Sequence, residues 1–427
     1  MSSVAGRIEA KRRAILAAAA QVFAAEGFER GRIDDVAAAA GVSKQTVYNH
    51  FGDKRGLVLA AIAETQGTAV VDVGFRLEEI PPVSEDVDAA FATIGRALVG
   101  IIADRQLSAM RRMVNLERGR HPELRAAWMG VGPVSTLQWL ITFISGLAER
   151  GELDVEVPAR AAGQLVALVG AEANERSLWG VRPMPEEIVA DLVRVQVGTY
   201  LRAYSARRRP IPGPSPARPE ASPPRAMPGR GRDGPHRAIL EAAAEVFREA
   251  GYEGAGVDVI AERAGVSKQT LYNHFGAKDQ LLLATVEAVV RGVEVELEPV
   301  VVALAGAGED PERALRRAGA AAIRHVVAPE MEALRSLVAF EVARHPGLVD
   351  AWRGGGVLPL TRALTAYFAA LAGSGRVAVT DPGIPARQLV ALSVTEARNL
   401  AEVAALDQVR DLVAEGTADF LLRAYRR

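Results

Sequence analysis

The eleven residues GVSKQTVYNHF at 41–51 return as GVSKQTLYNHF at 265–275, 224 positions later, with a single change, Val47 to Leu271. The same shift pairs Arg13-Ala14-Ile15-Leu16 with Arg237-Ala238-Ile239-Leu240, RHPELRAAW (120–128) with RHPGLVDAW (344–352), and QLVAL at 164 with QLVAL at 388. It slips by about three residues only near the ends, where LRAY at 201 meets LRAY at 422. A unit of roughly 200 residues has therefore been duplicated whole, and any fold assigned to one copy must be built twice.

Between the copies lies SARRRPIPGPSPARPEASPPRAMPGRGRDGP, too rich in Pro, Gly and Arg to sustain a helix or bury a core. The domain reading is a head at 1–60, a body at 61–204, a linker at 205–235, a second head at 236–284 and a second body at 285–427. Outside the linker, apolar residues recur at helical spacing and runs of alternating β-branched residues are few, so the fold class is all-α. The block KRRAILAAAAQVFAAEG near the start imitates a signal peptide. Its return in mid-chain as RAILEAAAEVFREAG (237–251) reads instead as an amphipathic helix in both places. No apolar run reaches the roughly 18 to 20 residues of a membrane span.

The chain has no cysteine, and its six histidines have no HExxH-like spacing, so thiolate chemistry is excluded and neither a metal site nor a cofactor is expected. The lack of cysteine fits a cytoplasmic protein. The net charge of −1 conceals seven arginines (207, 208, 209, 218, 225, 230 and 232) in the linker against Glu220 and Asp233. Local charge, not the total, sets the field a polyanion meets.

In the first copy a helix from about Ile8 to Glu26 stops at Gly27, a second from about Asp34 to Ala40 stops at Gly41, and Ser43 caps a third from Lys44 to about Phe51. Two short helices joined by AGVS read as helix-turn-helix. Val47 and Phe51 face inward toward Val36 and Leu57, leaving Lys44, Gln45, Tyr48 and Asn49 outward. Gln and Asn suit adenine N6 and N7, Lys suits guanine acceptors and the Thr46 methyl suits thymine, while Tyr48, His50 and Lys54 are placed to reach phosphates. Basic residues just ahead of the first helix, Lys11, Arg12 and Arg13 and then Arg230, Arg232 and Arg237, are candidates for backbone or minor-groove contact. All five lysines of the chain, 11, 44, 54, 268 and 278, fall in these two N-terminal regions.

On the residues F..EGF (23–28) followed by DDVAAAAGVSKQTVYNHFGDKRGL, and again F..AGY with DVIAERAGVSKQTLYNHFGAKDQL, the chain resembles the TetR family of transcriptional regulators. The resemblance implies a helical DNA-binding head on a larger helical domain that dimerises and holds a small-molecule effector. It assigns DNA contact to Ser43, Lys44, Gln45, Thr46, Tyr48, Asn49, His50 and Lys54, and to Ser267, Lys268, Gln269, Thr270, Tyr272, Asn273, His274 and Lys278. Three positions depart from the family's pattern: Arg32 and Gly256 stand where a Thr or Ser commonly caps the second helix, and the cap Asp53 is Ala277 in the second copy.

Two heads on one chain suggest an intramolecular pseudo-dimer, with helices near 158–178 and 185–204 against those near 384–402 and 407–425, and further homodimerisation left open. Met110, Met113, Trp128, Trp139 and Phe143 are candidate lining for an effector pocket, although apolar residues at such spacing are more often core. His121-Pro122 and His345-Pro346 read as helix ends with Pro opening the next helix. Glu117 with Glu341, and Glu172 with Glu396, recur in both copies. Without a nucleophile, metal motif or phosphate loop they do not read as an enzyme. The expected function is an effector-responsive, sequence-specific DNA-binding regulator, with repression the family's usual sign. The alternatives are a DNA-binding protein indifferent to effectors, and a helical small-molecule-binding protein that no longer reads DNA.

Overall fold

The computed structural model describes residues 2–78, 86–130, 132–207, 209–211, 213, 234–306, 310–401 and 405–427. Arg230, Arg232 and most of the linker lie outside the described residues. The first repeat forms α1 (Ser2–Arg30), α2 (Ile33–Ala40), α3 (Lys44–Phe51), α4 (Lys54–Glu78), α5 (Val87–Ala103), α6 (Arg105–Glu117), α7 (Pro122–Gly130), α8 (Gly132–Glu149), α9 (Pro158–Arg176) and α10 (Glu186–Tyr204). The second forms α11 (Gly234–Gly254), α12 (Val257–Arg263), α13 (Lys268–Phe275), α14 (Lys278–Ala305), α15 (Pro311–Val326), α16 (Pro329–Glu341), α17 (Leu348–Arg353), α18 (Leu358–Gly373), α19 (Gly383–Leu400) and α20 (Leu406–Tyr425). The described residues form no β-strand, only the isolated bridges Leu153 to Ser205 and Val377 to Arg426. None of their helices is long and apolar enough to cross a membrane.

By contacts the chain divides into two compact units. The first comprises Met1–Glu149, Val157–Ala162 and Ala173–Val189; the second comprises Arg150–Glu156, Gly163–Glu172 and Ala190–Arg427. The second unit thus takes in the middle of α9 and most of α10, helices of the first repeat.

In the first unit the head closes around Ile15, Leu16, Ala19 and Phe23 of α1, Val36 of α2, Val47 of α3 and Leu57, Val58 and Ile62 of α4, all buried. The helix limits follow from local chemistry. Gly27 breaks α1 with φ 83°, a backbone state only glycine adopts freely, and Gly41 ends α2 in the left-handed region at φ 65°. Helix α1 begins at Ser2, about two turns before the Ile8 expected from sequence, because nothing at residues 2–8 breaks it. Behind the head, Phe91 and Ile94 of α5, Met110, Met113 and Val114 of α6, Leu124 of α7 and Leu140, Ile144 and Leu147 of α8 form a second core.

The head of the second unit repeats this arrangement with Ile239, Val246, Phe247, Ile260, Leu271, Leu281 and Val286. Its body buries Leu315, Ile323, Leu364, Phe368, Leu389, Leu392, Phe420 and Leu421 together with Leu165, Leu192, Tyr200 and Leu201 of the first repeat. Inside it runs a polar network. Tyr425 donates to Gln388 Oε1 (2.7 Å), and Gln388 Nε2 donates to Gln196 Oε1 (2.8 Å) and Thr199 Oγ1 (3.1 Å). Tyr204 donates to Gln164 Oε1 (2.5 Å), and Gln164 Nε2 reaches the Gly416 carbonyl (3.5 Å). Buried amides and hydroxyls that satisfy one another in this way fix register between helices.

Candidate nucleic-acid interface

Each helix-turn-helix is built by the same three local devices. The Gly41 and Val42 amides close α2 onto the carbonyls of Ala38 (3.2 Å) and Ala37 (3.0 Å). Ser43 Oγ accepts the Thr46 amide (3.2 Å) and pairs with its hydroxyl (2.8 Å), capping α3. Val47 is buried and anchors α3, while Phe51 is half-buried, with Arg12 5.9 Å over its ring. In the second head Ser267 accepts the Thr270 amide (3.0 Å) and Leu271 fills the Val47 position.

The outward faces match almost bond for bond. Lys44 pairs with Asp34 at 2.9 Å and Lys268 with Asp258 at 2.9 Å. Gln45 donates to Asn49 Oδ1 at 2.9 Å, as does Gln269 to Asn273 at 2.9 Å. Tyr48 and Tyr272 stand exposed. The Asp34 hydrogen bond raises the Lys44 pKa and correspondingly lowers that of Asp34; Lys268 is raised by Asp258 in the same way. Both pairs lie in solvent, so they orient the lysines without stabilising the head appreciably. Each face presents an amide pair, an ammonium and a phenol, a donor and acceptor set suited to base edges and phosphates. His50 is half-buried beside Phe51, and His274 is exposed with its ring centroid 5.6 Å from that of His236.

Lys54 and Lys278, at the start of the next helix, each have a backbone partner. Lys54 Nζ donates to the Glu29 carbonyl (2.8 Å) and lies 5.0 Å from the Phe28 ring centroid, and burial lowers its pKa. Lys278 Nζ likewise donates to the Glu253 carbonyl (3.2 Å) and lies 4.7 Å from the Tyr252 ring centroid. Both tie the start of the fourth helix to the segment beyond the α1 or α11 kink.

That segment also meets the His-Pro residues and recurring glutamates, for which the sequence alone suggested no such partner. His121 Nε2 bonds Glu29 Oε1 at 2.7 Å, and its ring meets Phe28 edge-on at 4.4 Å; His345 meets Tyr252 likewise at 4.7 Å. Below them Glu117 and Glu341 are buried, with Arg120 at 3.5 Å and Arg344 at 3.4 Å. Burial pushes both carboxyls up, while the His121 hydrogen bond lowers Glu29. The recurrence of Glu117 and Glu341 is thereby explained as the seat of the head on its body; Pro122 opens α7 as expected, whereas Pro346 does not open α17, which starts at Leu348. The sequence signal was the repetition of RHP itself.

The caps differ between heads as the sequence suggested. Neither Arg32 nor Gly256 caps its helix with a side chain, and Asp53 accepts the Gly56 amide (2.7 Å) where Ala277 offers nothing. The second head instead has Arg263 bridging Glu245 and Glu249 (3.4 and 3.0 Å), where the first has Ala39 opposite Gln21 and Ala25.

Of the five candidate pocket residues, Met110, Met113 and Trp128 lie in the closed core. Trp139 lines an apolar recess with Ile94, Ala97, Leu98, Ile101, Thr136 and Leu140, and Phe143 stacks on it at 5.1 Å. The recess is shallow, about 240 Å3 including space open to solvent. Among the described residues no group of three or more acidic or histidine side chains is placed to hold a metal ion.

Comparison with known proteins matches both parts of each repeat. Residues 15–61 and 239–285 fit the profile described as bacterial regulatory proteins, tetR family. Residues 89–206 and 313–427, more than half of the chain, fit that of the AefR-like transcriptional repressor C-terminal domain. The chain is 52% identical over 56 residues to the HTH-type transcriptional activator FasR of Mycolicibacterium smegmatis, covering 13% of this chain and 26% of FasR. It is 44% identical over 77 residues to the HTH-type transcriptional repressor AcnR of Corynebacterium glutamicum, covering 18% of this chain and 41% of AcnR. The chain thus spans between a quarter and two fifths of these relatives' lengths. A crystal structure of a TetR-family regulator from Mesorhizobium loti MAFF303099 aligns over 46% of this chain and 100% of its own, at 25% identity and a TM-score of 0.42.

Proposed function

Because the chain belongs to the TetR family, with that family's head and body each present twice, we propose that it is a sequence-specific DNA-binding transcription regulator whose two heads read one near-palindromic operator. The observation that carries this reading is the matched outward face of α3 and α13, the same four side chains in the same two pairings. Two half-sites related by an approximate two-fold need two equal readers, and equality is kept here where the bodies diverge. In this reading Gln45 and Asn49, with Gln269 and Asn273, approach base edges as their mutual hydrogen bonds open. Lys44, Thr46, Tyr48 and His50, and Lys268, Thr270, Tyr272 and His274, contact bases or phosphates. Ser43 and Ser267 present the helix N-termini. Lys54 and Lys278 act indirectly, by holding each head.

We assign the heads to 1–60 and 236–284, the bodies to 61–204 and 285–427, and the linker to 205–235. Pairing of the two repeats within one chain is supported by the network of Gln196 and Thr199 with Gln388 and Tyr425. Repression is supported by the description of the C-terminal profile, and response to a small-molecule effector by the size of the bodies behind the heads. The protein works without catalysis, in the cytoplasm with its DNA. Selection of bound duplexes from a random pool, with the mass of the complex, tests the reading. A near-palindrome held by one chain is expected; a lone half-site, or a palindrome held by two chains, would overturn it.

A further inference from the structure

Helix α6 carries Arg105, Ser108 and Arg112 three and four residues apart, on one face. The turn after α9 lies against that face, so closely that a Cβ on Gly180 would stand 2.3 Å from the Ser108 Cβ. Leu178 and Trp179 in this turn take left-handed backbone angles, φ 50° and 54°, which side chains other than glycine resist. The turn is held by the Trp179 amide on the Asn174 carbonyl (2.7 Å), the Arg182 amide on the Ser177 carbonyl (2.8 Å) and the Gly180 amide on Ser177 Oγ (2.9 Å). The half-buried guanidinium of Arg112 donates to the Trp179 carbonyl.

That carbonyl is the one acceptor of Arg112 among the described residues, and no carboxylate pairs with it. Four of the five N–H donors of a guanidinium thus have no acceptor among the described residues. Burial first, and then the neighbouring Arg105, lower its pKa to about 10. A partly desolvated cation without a countercharge opposes folding. The equivalent place in the second repeat is neutralised from within. There Glu332, buried, accepts from Arg335 (3.2 Å) and Arg398 (2.7 Å), Ser336 replaces Arg112, and Pro329 replaces Arg105.

We propose that Arg112 is the anion-recognition point of the first body, taking the carboxylate or phosphoryl group of an anionic effector, and that the second body has no such point. The planar fork of a guanidinium matches either group with two parallel hydrogen bonds. This rests on the reading of the protein as an effector-responsive regulator, which it narrows in two ways, to an anionic effector and to one site per chain.

The test titrates the full chain with octanoate, octyl phosphate and neutral 1-octanol, following the tryptophan emission that Trp179 contributes, and measures operator affinity in the same samples. At least one of the two anions is expected to saturate with one site per chain, and which one does separates a carboxylate from a phosphoryl effector. Arg112→Met is expected to weaken that binding at least ten-fold and Arg112→Lys by less, while Ser336→Arg leaves it unchanged. Arg112→Met is expected to melt no lower than the native chain, because it removes an uncompensated cation; Arg112→Lys serves if it does not fold. Three results would overturn the proposal: neither anion saturating, equal binding by Arg112→Met, or octanol binding as tightly as the anions. Binding through Arg112 with operator affinity unmoved would keep the anion point and remove the effector-responsive reading. Octanol alone releasing the operator would do the reverse.

Discussion

Ser43 and Ser267 each hold the amide three residues on, so removing either hydroxyl exposes the first turn of α3 or α13. Ser43→Ala and Ser267→Ala should each cost their own head about 1 kcal/mol, read by hydrogen exchange of the α3 and α13 amides, with the other head unaffected. Ala277→Asp should restore the cap that Asp53 provides in the first head and slow exchange at the start of α14. Buried carboxyls act with opposite signs. At Glu332, burial alone would raise the pKa, but Arg335 and Arg398 bring it down to about 2. A depressed carboxyl stabilises the fold above the unfolded value near 4.3, and that stability drains away as pH falls toward 2. Glu332→Gln should therefore flatten acid unfolding of the second unit between about pH 4.3 and 2, and destabilise it at pH 7 by about 3–5 kcal/mol because two arginines lose their partner. The serine caps were legible in sequence because a cap spans three residues. Glu332 was not, since its partner Arg398 lies 66 positions away and the matching residues of the first repeat are Ser108 and Asn174.

At the scale of elements, the kink of α1 turns Phe28 and Glu29 back onto the end of α6 and the start of α7. His121 and the buried Glu117 then fasten the head to its body. Burial holds Glu117 above the usual carboxylate range, so the contribution of this group is full below the unfolded pKa and fades as pH rises through the folded one. Glu117→Gln should remove that fading, so that the first unit's melting temperature falls less between pH 4 and 8 than that of the native chain. Glu341→Gln should do the same for the second unit. The extents of α2 and α3 were legible almost to the residue, because Gly41, Ser43 and Gly52 punctuate them locally. The junction was not. Lys54 lies 25 residues from its acceptor and His121 lies 92 from Glu29, and no periodicity encodes such meetings. The five apolar pocket candidates illustrate the same limit, for spacing marks them as inward-facing without distinguishing the packed Met110 from Trp139 at the recess.

For the whole molecule, the matched outward faces of α3 and α13 predict equal losses under the proposed function. Gln45→Ala and Gln269→Ala should each weaken operator binding by about 1–3 kcal/mol, and the double variant by roughly the sum. Gel-shift titrations at fixed salt check this; a loss confined to one variant would mean that the other head is silent. The duplication was legible from repeated phrases, and with it the expectation that helices near 158–178 and 185–204 meet those near 384–402 and 407–425; which residues of α10 fall in the second unit was not, because it depends on which helices bury each other's side chains. That allocation brings Gln196 and Thr199 to Gln388, while the residues in register with them in the second repeat, Thr417 and Phe420, could not supply the same pair of acceptors. In an assembly of two identical chains every codon change appears on both sides of the axis, and a side chain useful on one side must be tolerated on the other. Here a mutation falls once. Each half of this gene is thus free to acquire residues that its twin never has to accommodate, and asymmetry becomes something selection can refine one position at a time.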